Sequence, residues 1–398
     1  MEEWKEYKLG DCVEAVIDNR GKSAPTKPLG EFPLLEINSI GGYYPNYSVI
    51  RKYVDKVTYN TWFRSGHPIC GDILIPTVGT IGIISIMDNH KACIAQNLIA
   101  LRTKKEISNI FIYYFLKSPI VKKQLINLDI GGVQPSIKVP HLLNLSISLP
   151  EKDIQHKIAS ILSSLDDKIE VNRKINENLE QQAQALFKSW FVDFEPFKNG
   201  EFVESELGMI PKGWRVGSIY DYIDVVYGAP YKSSLFNDKK EGLPLIRIRD
   251  LKTNAPQFYT PEILPNTEFV KAGDIVAGMD AEFIPYVWLG EKGVLNQRCC
   301  KFRGKNEAIS NYYILFLIKP ELEYVQSYKT GTTVSHLGKS DIDRFRFVTP
   351  PLDVVKSFSD LVDVMLKELV NRANESRRLA ELRDTLLPKL MSGELKVI

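Results

Sequence analysis

The side chains of this 398-residue sequence that could bind a ligand are basic and hydrogen-bonding groups at corresponding places in its two halves. Lysine and arginine pair with phosphate, whereas Arg, Asn, Gln, Ser and Thr can bond to the edges of bases. Their types and placement therefore predict recognition of a nucleic acid. The candidates are Arg20, Lys22, Ser23, Lys27, Gln96 and Asn97 in the first half, and Tyr231, Lys232, Ser233, Arg247, Arg249, Gln297 and Arg298 in the second.

Each half also closes with a glycine-containing polar loop, in which backbone N–H groups could approach a phosphate closely. Arg247 and Arg249 alternate with Ile248, which predicts a strand that carries both arginines on one face. Taken singly, each of these residues is an ordinary solvated loop residue, and the recurrence in both halves is what favours binding. The loop candidates are Gly131, Gln134 and Ser136 in the first half, and Lys329, Thr330, Gly331, Thr332, Thr333 and Ser335 in the second.

Signatures of the common catalytic sites are missing from the sequence. It has no phosphate loop, no Gly-x-Gly-x-x-Gly, no His-Glu-x-x-His and no Gly-x-Ser-x-Gly. One arrangement could bind Mg²⁺, because Asp384 precedes Glu394 and Lys396, and paired carboxylates with a lysine can support phosphoryl transfer. That short pattern straddles Pro388 and Gly393, so a metal-dependent nuclease is the weaker alternative. We expect no catalytic residue and no metal ligand in this chain.

The composition is that of a globular protein whose charges nearly balance. Its length predicts two to three domains, and its 51 Lys and Arg residues against 49 Asp and Glu give a net charge of +2. A DNA-binding domain usually has a clear basic excess, so the weak charge argues against nucleic acid. The five cysteines form no Cys-x-x-Cys pair, the first residues are charged, and no apolar run would span a membrane. These features predict a cytoplasmic protein.

The chain contains an internal duplication with a period of about 200 residues. Short motifs return in the same order at offsets of 200 to 211, and Pro150 and Pro350 close the two halves. The matched segments include 32–35 with 243–246, 71–74 with 273–276, and 107–109 with 309–311.

A long amphipathic helix is predicted after each closing proline. Apolar residues recur in alternating steps of four and three, as a heptad seam requires, and the second helix keeps the register of the first at an offset of 200. The simplest arrangement is an antiparallel pair with one globular domain at each end. The predicted pairing residues are Ile158, Leu162, Leu165, Ile169, Asn172, Asn176 and Leu179 in the first helix, and Phe358, Val362, Met365, Leu369, Leu379 and Leu386 in the second.

Polar and helix-breaking residues add three expectations about these helices. Asp153 and Asp353 are placed to cap the two N-termini. Pro388 should break or kink the second helix. Asn172 and Asn176 fall in the seam, where a polar residue lowers stability and fixes register, unless the helix drifts off a strict heptad and turns them to solvent.

Over essentially its whole length the sequence resembles the specificity subunits of type I restriction-modification systems. The second helix is a weaker match than the first, because it lacks the full Asn-x-x-Ile-Asn-Glu run. The segments that carry the resemblance are 158–169, 172–181, 183–194, Leu207-Gly208-Met209-Ile210-Pro211-Lys212-Gly213-Trp214, and Leu386-Leu387-Pro388-Lys389-Leu390-Met391-Ser392-Gly393-Glu394-Leu395.

The resemblance implies an α+β fold, in which two similar target recognition domains are separated by two long antiparallel coiled-coil helices with pseudo-twofold duplication. The expected segments are a recognition domain at 1–150, a helix at 151–192, a second recognition domain at 193–350 and a helix at 351–398. Each domain would read one half of a bipartite, asymmetric DNA site, and the helices would set the unread spacer.

The resemblance also implies partners, namely double-stranded DNA, two modification (methyltransferase) subunits docked on the helices, and two restriction subunits. This chain would then be a non-catalytic subunit with no cofactor of its own, because S-adenosylmethionine, ATP and Mg²⁺ would be bound by those partners. From another class of function, a coiled-coil scaffold with protein-binding globular ends is the alternative.

Overall fold

The computed structural model describes residues 4–80, 82–127, 136–329 and 335–397. The chain forms two compact units, of which unit 1 comprises residues 1–171 and 377–398, and unit 2 comprises residues 172–376. Each unit therefore contains one globular domain together with part of both long helices.

Unit 1 places a four-stranded sheet of order β2-β8-β5-β6 beside a three-stranded sheet of order β4-β3-β7, and β1 pairs with β9. The aromatic face of α3 packs on the first sheet, where Phe111, Tyr113 and Tyr114 are fully buried. The elements are β1 Lys5–Lys8, α1 Leu9–Cys12, β2 Val13–Asp18, β3 Phe32–Leu35, β4 Tyr53–Val54, α2 Lys56–Thr61, β5 Ile73–Pro76, β6 Ser85–Ile86, β7 Cys93–Ile94, β8 Leu98–Thr103, α3 Asn109–Lys117, α4 Pro119–Asn127, α5 Val139–Leu143, β9 Ser146–Leu149 and the long helix α6 Lys152–Phe191.

Unit 2 repeats this plan. Its sheets have the orders β13-β20-β17-β18 and β15-β14-β19-β16, β12 pairs with β21, and β10 and β11 form a hairpin. The elements are β10 Phe202–Ser205, β11 Gly208–Pro211, β12 Arg215–Ser218, β13 Ile223–Tyr227, β14 Leu243–Ile246, α7 Ile248–Leu251, β15 Tyr259–Thr260, β16 Phe269–Val270, β17 Ile275–Gly278, β18 Pro285–Val287, β19 Gly293–Leu295, β20 Cys299–Gly304, α8 Asn311–Lys329, α9 Lys339–Ile342, β21 Arg346–Thr349 and the long helix α10 Leu352–Met391.

The duplication extends to single hydrogen bonds. The Asn109 side-chain amide donates to the Gly71 carbonyl at 2.9 Å in unit 1, and Asn311 donates to Gly273 at 2.8 Å in unit 2. Both glycines have positive φ angles, 91° and 97°, a conformation that residues with a Cβ rarely adopt. The predicted α+β fold with an internal repeat is therefore confirmed.

In unit 2, α6 and α10 run antiparallel. Asn172 is fully buried on α6, and its amide donates to Glu375 at 2.8 Å and to Ser376 at 3.2 Å. Further along α6, the Asn176 amide donates to the Leu369 carbonyl at 3.3 Å. Partner numbers on α10 fall as those on α6 rise, which defines the antiparallel direction.

In unit 1, the helices meet around a charge. The Asp166 carboxylate on α6 is paired with the Arg383 guanidinium on α10, while Ile158 and Leu162 share an apolar core with Leu387 and Leu390. Of the residues predicted to pair the helices, Ile158, Leu162, Asn172, Phe358, Val362 and Leu369 are buried, and Leu165, Ile169, Asn176, Leu179, Met365, Leu379 and Leu386 are partly buried.

Two local expectations about the long helices were wrong. Pro388 does not break α10, which continues to Met391, because burial of Leu387 and Leu390 holds the last turn in place. Asp153 and Asp353 lie within the first turns of α6 and α10 rather than before them, where a carboxylate still interacts favourably with the helix dipole.

Within the described part of the chain, no helix is long and apolar enough to cross a membrane.

Candidate nucleic-acid interface

The topology of unit 1 gathers distant polar residues at one sheet edge. Strands β3 and β7 are parallel neighbours, so their carboxyl ends lie at the same edge, where Glu36 follows β3 and Gln96-Asn97 follows β7. The loop after β2 closes the other side. The resulting cleft, called the first cleft below, has a volume of about 220 Å³ and is lined by Asn19, Lys22, Ser23, Ala24, Thr26, Leu34, Glu36, Lys52, Trp62, Phe63, Ile94, Ala95, Gln96 and Asn97.

Four residues that sequence analysis singled out, Lys22, Ser23, Gln96 and Asn97, therefore line one cleft. Five further cleft residues were not predicted from the sequence, namely Asn19, Thr26, Glu36, Lys52 and Trp62. Glu36 had a detectable signal, because the repeat aligns it with Arg247 directly after an apolar strand. Lys52 and Trp62 lie in segments without a recognised repeat and carry no such signal.

The first cleft presents both hydrogen-bond donors and acceptors. Lys52 forms an ion pair with Glu36 at 2.7 Å, and both side chains remain partly exposed. The Asn97 Oδ1 atom is buried and has no hydrogen-bond partner among the described residues. A buried acceptor without a donor lowers the stability of the fold.

An aromatic stack supports the wall of the first cleft. The Tyr59 ring lies 3.9 Å from Phe32 and 3.6 Å from His67, measured between centroids. Burial lowers the pKa of His67 below its ordinary value of 6.5, and a hydrogen bond to the Tyr59 carbonyl opposes this effect. Asp55 accepts from the Thr58 N–H and caps α2, and these contacts hold the pKa of Asp55 at about 2.

Arg20 and Lys27 do not line the first cleft. Arg20 pairs with Asp18 at 2.5 Å, and Lys27 pairs with Asp55 at 3.1 Å. Because each cation already has a carboxylate partner, binding to phosphate would require an exchange of partners.

The equivalent edge of unit 2 is formed by the parallel pair β14 and β19. Gln297 and Arg298 follow β19 and are exposed. Arg298 pairs with Asp280 at 2.9 Å, and His336 bonds to the other oxygen of Asp280 at 2.6 Å. The backbone N–H of Ala281 donates to the Ser335 carbonyl, which ties this predicted residue to the same edge.

Other predicted residues of unit 2 have different surroundings. Tyr231 is buried, and its hydroxyl donates to Thr267 at 3.0 Å, so it is a packing residue rather than an exposed one. Lys232 and Ser233 are exposed.

The predicted strand through Arg247 and Arg249 was wrong. Strand β14 ends at Ile246, and residues 248–251 form the short helix α7. Asp250 accepts from the Arg247 N–H at 3.1 Å and closes the turn. The two arginines therefore do not share a strand face, and only Arg249 is exposed.

Part of the predicted loops falls outside the described residues. Of the residues that are described, Ser136 forms a bridge with Val78, and Lys329 donates to the His336 carbonyl and to Asp341. The predicted residues outside the described ranges are Gly131, Gln134, Thr330, Gly331, Thr332 and Thr333.

The nuclease-like pattern is not assembled into a metal site in the described part of the chain, where no group of three or more His, Cys, Asp or Glu residues could hold an ion. Asp384 is paired with Arg383 at 2.7 Å. The Glu394 N–H donates to the Ser392 hydroxyl in the turn after α10.

Comparisons with known proteins agree on one family. A family model described as a type I restriction modification DNA specificity domain matches residues 1–181 and 211–376. The chain is 30% identical over 352 residues to the type I restriction enzyme MjaIX specificity subunit of Methanocaldococcus jannaschii, covering 82% of this chain and 78% of that one. It is 24% identical over 331 residues to the HindI specificity subunit of Haemophilus influenzae, covering 67% and 72%.

A likeness to a solved structure supports the fold alone. The S subunit of a type I restriction-modification system from M. genitalium aligns with a TM-score of 0.53 and 16% identity, covering 97% of this chain and 96% of that one.

Proposed function

This chain belongs to the type I restriction-modification DNA specificity family, and from that premise we propose that each of its globular domains reads one half of a bipartite, asymmetric DNA site. Recognition of DNA sequence is the role of this subunit. The observation that supports recognition of two different half-sites is that the domains share a backbone arrangement but differ in side chains. Asn97 in the first domain and Arg298 in the second occupy equivalent positions. Thr77 N–H donates to the Asn97 carbonyl, and Met279 N–H donates to the Arg298 carbonyl.

The proposed partners are two modification (methyltransferase) subunits and two restriction subunits. Helices α6 and α10 dock the modification subunits and set the spacer between half-sites. An apolar side chain at equivalent places on both helices supports this docking, since Ile161 and Leu361 are 37% and 49% exposed and lie 200 residues apart. S-adenosylmethionine, ATP and Mg²⁺ are bound by the partners, and this chain contributes no catalytic group.

The direct test of this function is methylation of DNA by the assembled complex. The chain alone should neither cleave nor methylate DNA, and adding the modification subunit should give methylation at one bipartite sequence. Methylation that persists at the same sequence without this chain contradicts the proposal. DNA binding measured at several salt concentrations separates this function from that of a protein scaffold. Phosphate contacts make the affinity for DNA fall steeply with salt, whereas a scaffold would bind DNA weakly or without specificity.

A variant pair tests the docking surface. Ile161→Glu and Leu361→Glu should each weaken binding of the modification subunit while leaving the unfolding temperature unchanged, because both side chains are already exposed. The matched control is Leu29→Glu, which changes an 82% exposed leucine outside the helices. An equal effect of all three variants would refute docking at these positions.

An insertion tests the spacer. One heptad added to α6 at Asn172 and one to α10 at Ser376 keeps these paired positions in register. Seven residues lengthen a helix by about 10 Å, or about three base pairs. The doubly extended complex should methylate the same half-sites across a spacer longer by about three base pairs. Altered half-sites with an unchanged spacer would contradict the modular arrangement.

A further inference from the structure

One pair of equivalent positions differs in charge between the two domains. In unit 1, the N–H of Leu34 donates to the Lys52 carbonyl and the N–H of Ser39 donates to the Glu36 carbonyl. In unit 2, the N–H of Leu245 donates to the Phe258 carbonyl and the N–H of Asp250 donates to the Arg247 carbonyl. Glu36 is therefore equivalent to Arg247, and Lys52 is equivalent to Phe258.

The two pairs differ in accessibility as well as charge. Glu36 and Lys52 both line the first cleft, and their side chains are 32% and 51% exposed. Arg247 lies over the Phe258 ring at 4.5 Å from its centroid, bonds to Asp250, and is only 19% exposed. At these equivalent positions, unit 1 therefore has an accessible acceptor, Glu36, and unit 2 has a cation, Arg247, that is bonded within its own domain.

An accessible carboxylate on a DNA-facing surface is unfavourable for binding unless it makes a specific contact, because DNA phosphates repel it. Lys52 offsets part of that repulsion. A carboxylate has about four acceptor sites, so the ion pair with Lys52 leaves capacity for another donor. The DNA groups that donate in the major groove are the exocyclic amino groups of cytosine and adenine, while guanine and thymine present acceptor oxygens.

We infer that Glu36 is a specificity-determining residue of the first domain, which accepts a hydrogen bond from the N4 amino group of cytosine or the N6 amino group of adenine in one half-site. This inference rests on the proposed function. The neighbouring amides of Gln96 and Asn97 border the same cleft, and the exposed Gln96 side chain carries both a donor and an acceptor.

The experiment uses the complete complex with its modification subunits and maps methylated sequences for the wild type, Glu36→Gln and Glu36→Ala. The wild type should require one particular base pair at the position that Glu36 contacts. The alanine variant should lower discrimination at that position by roughly five- to 150-fold, the range expected for one good base contact. The glutamine variant should shift the preference towards adenine, since an amide can bond to both N6 and N7.

The matched control is Glu31→Gln, which makes the same chemical change at an exposed residue outside the first cleft. It should leave every base preference unchanged, as should both Glu36 variants in the other half-site. Thermal unfolding of each variant reports on folding, and the Glu36 side chain is partly exposed, so no large change is expected.

Two results separate failure of the inference from failure of the proposed function. If Glu36→Ala changes binding to all sequences equally, or alters the other half-site, Glu36 does not read a base and the inference is overturned alone. If the wild-type complex directs no sequence-specific methylation, the proposed function is overturned and the inference falls with it.

Discussion

Replacing Arg383 alone should destabilise unit 1 more than replacing both members of its buried ion pair with apolar residues. The Asp166 side chain is 3% exposed and that of Arg383 is 13% exposed. The Tyr114 hydroxyl donates to Asp166 at 2.7 Å, and the Lys117 Nζ atom lies 3.7 Å from it. Arg383→Ala would leave a buried carboxylate without its main partner, which costs about 3–5 kcal/mol.

Unit 2 supplies the template for removing the Asp166–Arg383 ion pair, and it keeps a lysine, Lys319, at the position of Lys117. At an offset of 200, Asp166 corresponds to Leu366 and Arg383 corresponds to Ala183, both of which are buried. In the aromatic run, Tyr114 corresponds to Phe316. The triple variant Asp166→Leu, Arg383→Ala, Tyr114→Phe copies these residues into unit 1. Apolar replacement of a buried ion pair is often neutral or stabilising, so this variant should exceed Arg383→Ala in stability by at least about 2 kcal/mol.

Hydrogen exchange measured by mass spectrometry distinguishes the units. Peptides from residues 158–171 and 377–391 report on unit 1, and peptides from residues 311–329 provide an internal standard in unit 2. The control Asp384→Ala removes a carboxylate that is 62% exposed and should change stability by less than about 1 kcal/mol. The reasoning fails if Arg383→Ala costs no more than this control, or if the triple variant is as unstable as the single one.

Three further predictions concern the helix seam, the first cleft and the edge of unit 2. Asn172→Leu should destabilise unit 2 by about 1–3 kcal/mol in urea unfolding, because Ser376 and Arg372 lose a buried partner; an increase in stability would show that the polar contacts are dispensable. The pKa of folded His67 lies below 6.5, so the unfolded state binds more protons than the folded state just below pH 6.5. The free energy of unfolding should therefore fall as the pH drops through this window. In thermal unfolding measured at several pH values, His67→Phe should weaken this pH dependence. Gly228→Ala would place a Cβ 2.1 Å from the Asn296 carbonyl oxygen, so methylation mapping should show weakened recognition of one half-site, and unchanged recognition of both would refute a role for this edge.

Repeated motifs allowed the internal duplication to be predicted because those motifs contact each other. The Gly-Asp and Ile-Ser-Asn motifs are separated by more than 30 residues in each half, and the Asn109 amide bonds to the Gly71 carbonyl. A Cβ on Gly71 would lie 2.5 Å from the Asn109 amide nitrogen. Both residues are therefore restricted by the same contact, and their recurrence as Gly273 and Asn311 reports a repeated structure rather than chance similarity.

The predictions that were wrong share a physical cause. In each case the structure depends on a contact that cannot be seen in the local pattern of residue types. Alternation around Ile248 predicted a strand, but the Asp250 carboxylate closes a helical turn on the Arg247 N–H. Pro388 predicted a break or kink in the second helix, but the helix is not broken there, because Leu390 is buried in the unit 1 core beyond it. The Glu36 and Lys52 pair was missed because the two residues are joined only by the packing of β3 against the segment that leads into β4.

The small net charge of +2 is reflected in the structure, where the candidate cations are paired with carboxylates. Arg20, Lys27, Lys52 and Arg298 each contact a carboxylate within 3.1 Å. A cation that leaves a carboxylate for a phosphate gains less than a free one, because the carboxylate must be solvated again. Acidic partners therefore reduce sequence-independent attraction to phosphate while leaving hydrogen bonding to base edges intact. In a subunit whose role is recognition, a balanced charge thus favours discrimination between sequences over affinity for DNA in general.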